Sequence, residues 1–111
     1  MGILDFIVDG LRSLGNWLIN IINRLISFAQ DVLGWFKMKN LDPRMDTPFV
    51  MKCDPEMRQM LGKAPRRNIG LFKGVFNEQT DTIEGDEIET TEGFDRQTQE
   101  VLGGEKLVVF Q

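Results

Sequence analysis

LDFIVDGLRSLGNWLINIINRLISFAQDVLGW, residues 4–35, decides how the chain is read. Leu4, Ile7, Leu11, Leu14, Leu18, Ile21, Leu25, Phe28, Val32 and Trp35 recur there at alternating steps of three and four. At 3.6 residues per turn, that spacing places all ten side chains along one stripe of an α-helix. It predicts a long N-terminal amphipathic helix over residues 1–37, about ten turns in length, with those ten residues as its association face. With Leu4 at heptad position a, the e positions (Val8, Gly15, Ile22, Ala29, Phe36) widen the seam, and the g positions form a poor charge ladder. A plain two-stranded coiled coil therefore does not fit. Gly10 and Gly15 each lower helix propensity by about 1 kcal/mol relative to Ala, so a bend near Gly15 is the alternative to a straight rod.

The opposite face of that helix holds Asp9, Arg12, Ser13, Asn16, Asn20, Asn23, Ser27 and Gln30. It is polar but mostly uncharged, whereas surface-seeking helices present Lys and Arg to anionic lipid. A membrane span needs about 20 mostly apolar residues. Arg24 at mid-span would cost roughly 2.5–3.5 kcal/mol. What remains for a membrane is contact at its surface, or an oligomer with its polar faces turned inward.

Beyond Lys37 the character changes. Residues 38–68 read as an extended linker, because Pro43 and Pro48 push their predecessors away from helix. A short helix is expected near residues 55–61, with Asp54 as N-cap and Pro55 in the first turn. Residues 69–111 read as a small acidic β-rich unit. Within it, Ile69–Phe76 has strand composition, Gly85-Asp86 is a turn between Ile83 and Ile88, Asp95–Leu102 is a short helix, and Lys106–Phe110 closes as a strand. The fold class expected is α+β: a long helix, a Pro-broken linker, and a C-terminal unit with a short helix and two or three strands.

The net charge of −4 is unevenly spread: residues 1–37 are neutral, 38–73 carry +4, and 74–111 carry −8. Segregation of this kind suits surfaces facing different surroundings, or head-to-tail contact between copies. A single cysteine, Cys53, permits no intrachain disulfide. Together with an N-terminus lacking a basic n-region, this points to a virion or cytoplasmic setting rather than secretion.

Chemistry is sparse. There is no His, which removes imidazole ligands and His-dependent nucleophiles. The run from Asp81 to Glu92 has the length of a calcium loop, but it has Ile83 and Gly85 where oxygen ligands belong and Asp86 where the turn needs Gly. No phosphate-loop motif occurs. Lys63, Arg66 and Arg67 are candidate phosphate contacts, with nucleic acid as a minor partner. No metal, cofactor or small-molecule substrate is expected, and no enzymatic activity. The expected function is a structural or assembly role, with the helix joining the chain to itself, a larger structural protein or a membrane. In architecture alone this plan resembles the small minor or internal capsid proteins of viruses. The alternatives are an adaptor for a basic partner and a membrane-active pore former.

Overall fold

A computed structural model describes residues 2–110 of the chain; Met1 and Gln111, the outermost residues of the expected segments, lie outside them. The long helix does not form. Helix α1 spans Ile3–Leu14 and stops at Gly15, whose φ of 77° is a left-handed backbone setting that side chains resist. Immediately beyond it lie Ile19, Ile21 and Ile22. Branching at Cβ restricts their rotamers in a helix and suits them to a pleated strand. They form β1 (Ile19–Ile22), which pairs in parallel with β4 (Thr82–Thr90) in the register Ile19 to Glu87.

Ser27 then caps a π-helical turn, Phe28–Leu33, by accepting from the Gln30 N–H at 3.2 Å. The turn runs on into α2 (Gly34–Lys39), which ends at Asn40 in a left-handed conformation. The ten stripe residues are thus divided among a helix, a strand, a loop and a second helical segment, and their common face is a coincidence of spacing.

The linker expectation is corrected too. Strand β2 (Asp46–Cys53) lies inside the sheet, between β3 (Ile69–Asn77) and the short β5 (Leu107–Val109). Pro48 is tolerated there in register with Val75. Helix α3 (Pro55–Met60) follows, with the Asp54 carboxylate accepting from the Met57 N–H at 2.8 Å. The expected break at Gly85-Asp86 does not occur, since β4 runs unbroken through it. The hairpin turn falls instead at residues 78–81, where the Asn77 side chain accepts from the Gln79 and Thr80 N–H groups. Helix α4 (Arg96–Leu102) precedes β5.

The result is one mixed five-stranded sheet, ordered β1-β4-β3-β2-β5, to which all three parts of the chain contribute. Period-2 alternation sorts its side chains onto two faces. Phe49, Met51, Cys53, Phe72 and Ile83 meet Ile7, Val8 and Leu11 of α1, with Met57 of α3. Val50, Leu71 and Ile88 meet Ile26, Phe28, Val32 and Leu102 on the other face. Ile7, Leu11, Phe28 and Val32 are core residues, whereas Leu18 is 79% exposed, Ile21 61% and Leu25 48%; Leu4 and Leu14 are also exposed, and Trp35 is half-buried.

A bidentate pair fixes the π-helical turn. Arg24 donates to both Asp31 oxygens at 2.7 Å, and the Ser27 N–H donates to Asp31 at 2.7 Å. Burial opposes ionisation of Asp31, but these donors outweigh it and hold the carboxyl below its usual range. The folded form then binds the proton more weakly than the unfolded chain. Its contribution to stability is complete above about pH 4 and is lost as pH falls. Asp31→Asn should therefore flatten the acid limb of the stability–pH curve, and an unchanged limb would show that the pair adds nothing. The divided stripe makes its own prediction. Leu11→Ala should lower unfolding free energy by about 2–5 kcal/mol, and Leu18→Ala by no more than about 0.5 kcal/mol. Urea denaturation giving comparable losses at both positions would restore the continuous helix.

Candidate functional site

Two features stand apart from the ordinary core: an ion network beneath a basic groove, and the uncovered β1 edge beside it. Glu87 and Glu89 occupy alternate positions of β4, so both carboxylates point to the α1/α3 face. Each is fully buried. Arg58 of α3, only 3% exposed, lies between them, with Nη2 donating to Glu87 Oε2 and, at 3.2 Å, to Glu89 Oε2. Arg66, in the loop before β3, forms a fork on Glu89 through Nε and Nη2, the latter at 3.1 Å. Asn68 adds a donor to Glu89 at 3.3 Å, and Trp17 Nε1 donates to Glu87 Oε1 at 3.1 Å.

Backbone geometry makes room for this network. Gly70 of β3 lies beside Glu87, and a Cβ there would collide with Oε2. Trp17 is held by an edge-on contact with Phe72, 4.9 Å between centroids, while the Glu87 N–H donates to the Leu18 carbonyl at 2.9 Å. The loop that leaves α1 is thereby tied to β4 by a side chain and by the main chain.

The two carboxyls are driven apart. Burial raises Glu87, which nearby Glu89 reinforces and Trp17 and Arg58 oppose. At Glu89 burial is outweighed by Arg66, Asn68 and Arg58, and the carboxyl falls below its ordinary value. Acid–base pairs in enzymes are separated in this manner. Here, however, both groups are sealed from solvent and committed to internal donors, which makes the network a clamp between α3, β4 and the α1–β1 loop. The Cys53 thiol beneath it is pushed well up by burial and by Glu87, the reverse of an activated nucleophile.

Of the candidate phosphate contacts, Lys63 and Arg66 line one groove with Arg58, and exposed Arg67 follows in sequence. Of the association face, Leu18, Ile21 and Leu25 flank or form β1, and the rest is dispersed. Sequence reasoning passed over Arg58, Glu87 and Glu89. The available signal was the pattern Glu87-Ile88-Glu89, in which a strand with an apolar residue on one face places two carboxylates on the other. No protein-family model, curated protein or solved structure matches the chain.

Removing Arg58 strands buried Glu87 with no cation partner and leaves Glu89 to Arg66 alone, so Arg58→Ala should cost about 3–5 kcal/mol. Adding Glu87→Gln and Glu89→Gln to that variant removes the stranded charges and should recover part of the loss in urea denaturation. A triple variant no more stable than Arg58→Ala would show that charge pairing is not what the network supplies.

Proposed function

We propose that this chain is a non-enzymatic structural or assembly protein that associates with further copies of itself along β1, within a larger particle such as a virion. The supporting observation is an unguarded sheet edge. β1 pairs on one side only, and Leu18, Ile21 and Leu25 stand exposed along it. Free edges are ordinarily blunted by Lys, Pro or bulges, because unpaired N–H and C=O groups recruit further strands. Residues 15–23, GNWLINIIN, contain neither a charge nor a Pro.

A second copy is the occupant that this edge suits. An uncharged strand meets no like-charge repulsion when it pairs with itself. A two-fold contact would place the same patch on both sides and continue the sheet from one protomer into the other. A four-residue strand supplies few hydrogen bonds, so pairing benefits from the high local concentration of an assembled particle.

A second reading has its own observation. A cleft of about 370 Å³ between α1 and the β3–β4 turn is lined by Phe6, Asp9, Leu14, Phe76 and Asp81. Apolar walls with carboxylates suit an adaptor for a basic, partly apolar segment. No described helix is long and apolar enough to cross a membrane, and the stripe that would have met a membrane surface is divided among several elements.

Sedimentation equilibrium, with and without liposomes, tests the proposal. The wild-type chain should form a discrete dimer at tens of micromolar, and Ile21→Lys should be monomeric with an unchanged melting temperature. A wild-type monomer at every concentration overturns self-assembly. Flotation of that monomer with lipid would transfer the role to a membrane surface.

A further inference from the structure

Above the buried ion network the surface opens into a groove of about 340 Å³, with Asn16, Ile19, Arg58, Lys63, Pro65 and Arg66 among its walls. Three of its lining residues are cations and none is a carboxylate. We infer that this groove binds a phosphate dianion, presented by a phosphate monoester.

The donors are in place and partly unused. Arg58 commits Nη2 to Glu87 and Glu89, while its Nη1 donates to no described residue and its Nε is buried without a partner. With Nη2 committed to both carboxylates and Nε buried, Arg58 offers the groove the N–H groups of Nη1, on a guanidinium whose plane is already fixed by the charge-assisted bonds to Glu87 and Glu89. Lys63 donates to the Gly15 carbonyl and lies 4.6 Å from the Trp17 ring centroid, which positions an ammonium that has three protons to give. Arg66 is held by Glu89 through Nε and Nη2, leaving Nη1 available from a side chain 38% exposed. Internal partners therefore hold all three cations before any ligand arrives, and the ordering cost of binding falls accordingly.

Charge selects the ligand class. Of the three cations that line the groove, Arg58 and Arg66 pair with the buried carboxylates Glu87 and Glu89, and exposed Arg67, next in the same loop, adds a fourth positive charge, an excess of +2 for the neighbourhood. A monoester dianion balances that excess, whereas a single diester phosphate leaves one cation unmatched. The site is complete within one protomer and does not depend on pairing through β1.

The test is a titration of the full chain at low salt, followed by amide chemical shifts and calorimetry. The probes are inorganic phosphate, a nucleoside 5′-monophosphate, and an oligonucleotide without terminal phosphates. Saturable 1:1 binding of the first two should shift amides of residues 62–67. It should tighten as pH rises from 5 to 7.5, because the second proton of a monoester leaves near pH 6 and that of inorganic phosphate about one unit higher. Lys63→Gln should weaken it roughly tenfold or more, the loss of one charge-assisted hydrogen bond. Exposed Arg67→Gln, which makes no internal bond among the described residues, should weaken it without disturbing the fold. No saturable shift, or affinity unchanged in a folded Lys63→Gln and in Arg67→Gln, overturns the assignment. So does an oligonucleotide that binds more tightly than the monophosphate, since diester recognition would then own the groove.

Discussion

Two carboxylates pointing inward from one strand would ordinarily break a fold this small. The effective penalty for burying an unpaired ion is several kcal/mol, a large part of the stability of a domain of this size. Arg58 meets both, and in doing so fixes where α3 sits on the sheet, while Arg66 draws the following loop over Glu89. Trp17, bonded to Glu87, locates the end of the α1–β1 loop. The position of β1, the shape of the basic groove and the packing of Cys53 all follow from this one shared guanidinium.

The interaction also explains what the sequence allowed a reader to see. Self-contained local signals are legible: Asp54-Pro55 opens α3, Gly103 closes α4 with a φ of 55°, and Leu71 and Val75 alternate with Phe72 and Phe76 along β3. The N-terminal third is illegible because steps of three and four are also available, by chance, to a helix, a strand and a π-helical turn laid end to end. Only Gly15 and the β-branched cluster after it argue against a single rod, and their weight depends on a partner, β4, 68 residues further on. The ion network is hidden for a related reason. Arg58 shares no local pattern with Glu87 and Glu89; tertiary contact alone makes them a unit.

The groove and the free edge occupy neighbouring ground but obey different physics. The groove is built from charges immobilised by buried counterions, so its recognition is electrostatic and weakens with salt. The edge offers backbone hydrogen bonds and apolar side chains with no charge to select a partner, so its specificity comes from register and shape. Ile19, the first residue of β1, lines the groove as well.

The parallel pairing of β1 also sets a clock on synthesis. β2, β3, β4 and β5 can close by antiparallel contacts between neighbours in the sheet, but β1 must wait for a strand in which Glu87, the partner of Ile19, lies 68 positions downstream. At ribosomal speeds of about 5–20 residues per second, that interval is roughly 3–14 s. Throughout it, an uncharged apolar segment hangs from a nascent chain with its counterpart not yet made. Neighbouring ribosomes on the same message hold such segments at high local concentration before each chain can retain its own, which puts a premium on the Asn residues and Gly15 that interrupt its apolar character.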